Sequence, residues 1–303
     1  MLHEFSTLHA ALPWFFPLAA FLFGTCVGSF LNVVIHRLPR KESVVTPGSH
    51  CGCGQPIRWF DNVPVLSWFL LRGRARCCGR PFSFRYPAVE LLTGLLFAAC
   101  ALRHPPAVAA AGWVFLAGLI GASGIDLEHF EIPDLFTLGL GSTGVVLSAL
   151  VPALHGHAGD LALADGFRGL VSALLGICVG SGLLLWIAMG AEALLRREAM
   201  GFGDVLFLGA IGAFCGWQGA VFSLFGGAVV GVIWFGIAAV WTRLAGRSAP
   251  VALPAQSAEG AATPLGFGAQ VPFGPMLAVA AAAYFLFFRG PVTAWFAELA
   301  SIL

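Results

Sequence analysis

Charge is what this sequence has least of. Asp, Glu, Lys and Arg together make up 10% of the 303 positions, against roughly 25% in an ordinary soluble domain. A water-soluble globule so poor in charge has too little polar surface to cover itself, so lipid is the expected solvent. The net charge is only +1, which withholds the electrostatic footprint of a nucleic-acid binder. A basic start is missing as well. The first apolar run is preceded by Glu4 and followed by its charged flank, His36–Lys41, the reverse of a removable signal peptide. No convincing internal repeat is present, although transporters built on paired broken helices often show one.

What fills the chain is apolar, at 58% of residues. Crossing a hydrocarbon core of about 30 Å takes roughly 20 helical residues. Eight runs qualify: Pro17–Ile35, Pro87–Leu102, Ala107–Ile125, Ile132–Leu154, Gly169–Leu194, Asp204–Gly219, Ala220–Thr242 and Gln270–Phe288. The second and sixth are short. The expected fold is therefore an all-α polytopic membrane protein of about eight transmembrane helices, with a polar insert after the first. Residues 1–35 form the first span, 36–86 the insert and 87–303 the remaining bundle. An Ala/Gly/Pro-rich connection near Arg247–Gly268 is expected to be flexible. Small residues four apart within spans (Gly24/Gly28, Gly176/Gly180, Gly212/Gly216, Gly227/Gly231) read as close helix packing.

Lysine and arginine give the orientation. Nine of the sixteen lie between Arg37 and Arg85, and Arg196, Arg197, Arg243 and Arg247 fall on the same side if the spans alternate. Only Arg103, Arg168 and Arg289 fall opposite. Basic residues concentrate in cytoplasmic loops, so the insert is expected in the cytoplasm and both termini outside. The same arginines suit anionic lipid headgroups.

Acids near membrane depth are costly and mark functional sites by default. Asp126 closes the third span and Asp204 opens the sixth, both at the expected cytoplasmic edge. Asp204 is also where a helix N-cap would sit, and Asp134 after Pro133 suits a helix start without any catalytic role. Asp126 fits its place less well, because a helix C-terminus disfavours negative charge. Gly201 and Gly203 bracket Phe202 just before Asp204, permitting a turn and a close substrate approach that side chains would block. Two carboxylates facing each other there would share one proton, the requirement of an aspartic peptidase.

Gly201-Phe-Gly203-Asp204 resembles the glycine-x-glycine-aspartate signature of prepilin peptidases and presenilin-type proteases. Asp126 with Ile132-Pro133-Asp134 resembles the other catalytic segment of bacterial type IV prepilin peptidases. Gly28–Pro39 resembles that family's first-helix exit, Arg58–Trp68 and Arg85–Gly94 its cytoplasmic loop and next helix, and Pro272–Pro275 the start of its final helix, in order along most of the chain. The resemblance implies an inner-membrane enzyme that cuts the basic leader from prepilins or pseudopilins at the cytoplasmic face, with Asp126 and Asp204 as the catalytic pair. It also implies methylation of the new N-terminal amine from S-adenosylmethionine by the insert, with Glu90, Arg85, Asp61 and Asn62 as candidate residues. Leu206 stands where the family commonly has lysine.

Of eight cysteines, Cys26, Cys100, Cys178 and Cys215 lie in spans and read as packing residues. The family often carries two Cys-x-x-Cys pairs in the insert, spaced for Zn²⁺. Here the pairs are Cys51-Gly-Cys53 and Cys77-Cys78, with His50 as an alternative ligand. A reducing cytosol argues against disulfides among them. Two other functions stay open on the residues alone: a presenilin-like protease with other substrates, and a proton-coupled transporter using the two aspartates as a relay.

Overall fold

The computed structural model describes residues 12–159, 161–196, 200–245 and 272–302. Helices dominate them: α1 (Phe15–Arg37), α2 (Leu66–Leu70), α3 (Arg85–Arg103), α4 (Pro106–His129), α5 (Leu140–Leu150), α6 (Ala162–Leu195), α7 (Phe202–Ala245), α8 (Gly274–Ala283) and α9 (Arg289–Ile302). A π-helical turn, Leu135–Gly139, leads into α5, and another, Tyr284–Phe288, joins α8 to α9. The connection around Arg247–Gly268 and the start of the last expected span lie outside the described residues.

Among the described residues six helical stretches are long and apolar enough to cross a membrane, and Leu135–Leu150 is a shorter seventh. The eighth is hidden in α7. Gly216 sits there at φ 69° and ψ 179°, which is not helical and is open to a residue without Cβ. A Cβ added at Gly180 of α6 would lie 2.7 Å from the Leu208 carbonyl oxygen and 3.2 Å from the Ala220 Cβ. In a straight helix those two residues would stand about 18 Å apart. The chain therefore folds back at Gly216, and α7 is two limbs, as the sequence suggested with its boundary three residues later. About eight spans result. Their outward faces are apolar, with Trp186 and Val232 more than 70% exposed, as lipid contact demands.

The chain divides into two compact units, which part at Gly121 and Ala122 within α4. In the first, α1 packs along α3, and the Phe97 and Trp113 rings stack at 5.5 Å while the Trp113 indole donates to the Phe97 carbonyl. In the second, α6 packs along the first limb of α7. Gly176 and Gly212 meet where a Cβ on either would fall within about 2 Å of the other's carbonyl, so the helices touch backbone to backbone. That limb is buried along most of its length, with its own Phe207, Leu208, Ile211 and Phe214 fully enclosed. The second limb packs on α8, with Phe222 against Tyr284 and Phe288. The paired glycines of the sequence all serve this packing except Gly216, which makes the reversal.

Candidate active site

The second unit assembles one acidic site. Asp126, one turn before the end of α4, is 5% exposed. Phe130, in the left-handed region at φ 55°, ends the helix and sends the chain through Glu131 to Ile132. A Cβ at Gly203 would meet Ile132 at 3.6 Å, so the turn after α4 lies directly against the turn before Asp204. Asp204 is half-buried on the first turn of α7, its backbone N–H donating to the Gly201 carbonyl, and it lies within electrostatic reach of Asp126. Asp134 is exposed, and its side chain caps nothing. Of the three acids flagged from sequence, the structure thus brings Asp126 and Asp204 together and leaves Asp134 aside.

Gly274 is a contributor the residue pattern did not reveal. It opens α8, and its backbone N–H donates to Asp126 Oδ2 at 3.0 Å. A Cβ there would lie 2.7 Å from that oxygen and 2.9 Å from Ile132 Cδ1. Only glycine lets the chain approach the carboxylate this closely. The bracketing prolines, Pro272 and Pro275, were the only sequence sign of an ordered turn.

The first unit carries the other candidates. The insert holds two small hairpins, bridged at His50 with Pro56 and at Arg74 with Pro81, and turned by Gly54 and Gly79 at positive φ. Each tip offers two thiols, and the Sγ atoms of Cys51, Cys53, Cys77 and Cys78 all lie within 4.8 Å of one another. Cys53 and Cys77 stand 3.4 Å apart and Cys51 and Cys78 3.6 Å. Tetrahedral Zn²⁺ with sulfur ligands at about 2.3 Å requires S···S spacings of about 3.8 Å, so the donor set fits that ion. The unusual spacing is absorbed because ligands are set by the hairpin tips. His50 turns its Nδ1 to the Gly48 carbonyl and stands outside the group of four. The Cys53 backbone N–H and neighbouring thiols draw Cys51 down to about 7, while hydrogen bonds to Cys53 and Cys51 push Cys77 up to about 12. Four crowded thiols without a cation do not all ionise. In the spans, Cys100 and Cys215 are buried as expected of packing residues, whereas Cys26 and Cys178 are exposed, which corrects the sequence reading for those two.

A cavity of about 1100 Å³ lies within the same unit, and Asp61, Asn62 and Glu90 line it. Glu90 accepts the Val65 backbone N–H at 2.6 Å. That bond holds a β-branched residue at φ 62°, a strained conformation. Asp61 pairs with Arg76 at 2.9 Å. Arg85 begins α3, its N–H on the Ser83 hydroxyl.

Comparison with known proteins follows this division. The bacterial peptidase A24 N-terminal domain matches residues 22–104, and the type IV leader peptidase family matches residues 113–236. Over 247 residues the chain is 40% identical to a prepilin leader peptidase/N-methyltransferase of Myxococcus xanthus, covering 74% of this chain and 66% of that one. Over 301 residues it is 35% identical to the protein of that name from Aeromonas hydrophila, covering 89% and 90%. It is also 38% identical over 224 residues to a type 4 prepilin-like proteins leader peptide-processing enzyme of Escherichia coli O78:H11, covering 66% and 77%. No solved structure gives a significant match. These matches do not favour the transporter or presenilin-like alternatives.

Proposed function

This chain belongs to the type IV leader peptidase family, and from that premise we propose that it cleaves the leader of prepilins or pseudopilins with Asp126 and Asp204, then N-methylates the product. The observation that carries the peptidase half is geometric: Ile132 packs against Gly203, next to Asp204, and against Gly274, whose N–H binds Asp126. Two carboxylates so placed share a proton. The ionised one takes a proton from the attacking water, and the protonated one donates to the scissile carbonyl. The Gly274 N–H fixes Asp126 Oδ2 and leaves Oδ1 for the reacting water.

We assign the segments accordingly: residues 1–35 anchor the chain, 36–86 serve methylation, and 87–303 carry the peptidase. The basic asymmetry supports an inner-membrane protein with insert and aspartates at the cytoplasmic face, and insert arginines meeting anionic lipid headgroups. S-adenosylmethionine, when bound, supplies an electrophilic methyl group on a sulfonium sulfur. The cavity of the first unit would hold it, beside Asp61, Asn62 and Glu90. Glu90 also positions the insert through the Val65 N–H. The four thiols would hold Zn²⁺ as a closed structural site that joins the two hairpins.

The test is incubation of the purified protein with a prepilin, with and without S-adenosylmethionine, reading product masses. Asp126→Asn and Asp204→Asn should each abolish leader release while the protein stays folded, and Asp134→Asn should keep it. Substantial cleavage by either folded Asp126 or Asp204 variant would sink the assignment.

A further inference from the structure

Arg37 ends α1 and is only 8% exposed, yet no carboxylate pairs with it among the described residues. Its Nη1 donates to the Ser43 and Pro47 carbonyls at 3.0 and 2.8 Å, and its Nη2 reaches the Gly48 carbonyl at 3.4 Å. A guanidinium has five N–H donors, so two remain after these three bonds. Neutral carbonyls hold the group in place without cancelling its charge, and burying an uncompensated charge is expensive. The arginine faces the 1100 Å³ cavity of the first unit. A buried, clamped cation with spare donors on a cavity wall is built for an anion. Arginine matches a carboxylate in a two-point geometry that lysine lacks.

The rest of the wall is mixed. Arg58, Arg76 and Arg80 also line it but are exposed, and Arg76 is spent on Asp61, which leaves Arg37 as the buried cation. Glu90 brings a second carboxylate, and Trp68 and Tyr86 bring aromatic surface. Cations favour both kinds of group. A ligand that suits the whole cavity therefore carries an anionic end, a cationic centre and a flat ring. The volume of about 1100 Å³ is just above the roughly 300–1000 Å³ usual for small-molecule sites, enough for a nucleoside-sized ligand beside an acceptor residue.

We propose that Arg37 binds the α-carboxylate of the methyl donor, so that the cavity recognises the amino-acid end of S-adenosylmethionine at the end of α1. The inference rests on the methylation reading given above. It makes Arg37 a binding residue that anchors the donor.

Calorimetric titration of the purified full chain with S-adenosylmethionine and with its decarboxylated form tests it without any turnover. Wild type should bind the decarboxylated donor at least about tenfold more weakly, since a charge-assisted hydrogen bond contributes roughly 1.5–3 kcal/mol. Arg37→Gln should weaken S-adenosylmethionine by that factor and barely change the decarboxylated donor, so the ratio collapses towards one. Arg37→Lys should fall between. Size-exclusion profile and melting temperature establish folding. If Arg37→Gln does not fold, the wild-type ratio and Arg37→Lys decide. Equal affinity of wild type for both donors overturns the proposal, and is what an anionic lipid headgroup on Arg37 would give. A wild-type ratio kept by Arg37→Gln overturns it too. If wild type binds neither donor, the methylation reading itself fails and this assignment falls with it.

Discussion

Substituting Gly274 with alanine tests the peptidase geometry without touching either acid. The added Cβ would lie 2.7 Å from Asp126 Oδ2. Relief to an ordinary contact near 3.4 Å needs a shift of about 0.7 Å, and Ile132 Cδ1 at 2.9 Å closes one direction of escape. The shift stretches the 3.0 Å bond from the Gly274 N–H to about 3.7 Å, beyond hydrogen-bond range. Loss of a bond to a charged acceptor costs roughly 1.5–3 kcal/mol, and misplacing a reacting group by about 1 Å costs about 10²-fold in rate. Gly274→Ala should therefore lower kcat/KM for leader release by one to two orders of magnitude, with the loss in kcat. Prepilin cleavage followed by gel mobility or mass spectrometry reads the first, and methylation of already mature pilin serves as the control. A folded Gly274→Ala protein that cleaves within about twofold of wild type would refute the reasoning.

Two further outcomes are expected. Metal analysis of the purified chain should find one Zn²⁺ per molecule. Cys53→Ser or a strong chelator should remove it and lower the melting temperature, and a fully stable, metal-free wild type would dispose of the thiol site. His155, outside the spans, is pushed down to about 4 by burial and by the Arg289 charge, with its Nε2 on the Ser148 hydroxyl at 2.8 Å. Its folded value lies below the unfolded 6.5. The native state therefore binds the proton less well, and stability is complete above pH 6.5 and drains away as pH falls towards 4. The full shift is worth about 3 kcal/mol. Melting of wild type should drop more steeply than that of His155→Gln between pH 7 and 4.5, and parallel profiles would contradict it.

The sequence made the spans readable because lipid requires long apolar runs, and a change of composition marks each end. The acids stood out because membrane depth makes them rare. Gly274 was not readable. Its bond to Asp126 joins residues 148 apart, and a backbone N–H has no residue letter. The thiol site is hard to read because the sequence offers only spacing along the chain, which departs from Cys-x-x-Cys, whereas two separate hairpins decide the distances. Arg37 counted only as one basic residue among nine until its burial was seen. Glu90 stands in the sequence only as a methylation candidate. The anchor the structure shows is a hydrogen bond to the Val65 N–H, which no charge pattern encodes.

The reversal at Gly216 has a bearing on the bilayer itself. From Phe202 the first limb of α7 has fourteen residues before Gly216, about 21 Å of helix. Leu135–Leu150, packed beside it with Ser148 on the Ala213 carbonyl, gives about 24 Å. Both fall short of a hydrocarbon core of about 30 Å. Leu138 and Val146 turn outward from the Leu135–Leu150 helix, and lipid against that face is expected to thin towards it, at a cost of fractions of a kcal/mol per ångström. Asp204 begins the limb packed beside that helix, so on the proposed assignment headgroups and water would be drawn inward near the scissile bond. An incoming substrate helix would there meet a membrane too thin to bury its whole length. Leader release should accordingly run faster in bilayers of fourteen-carbon chains than in bilayers of twenty-carbon chains, and indifference to chain length would show that the dimple plays no part.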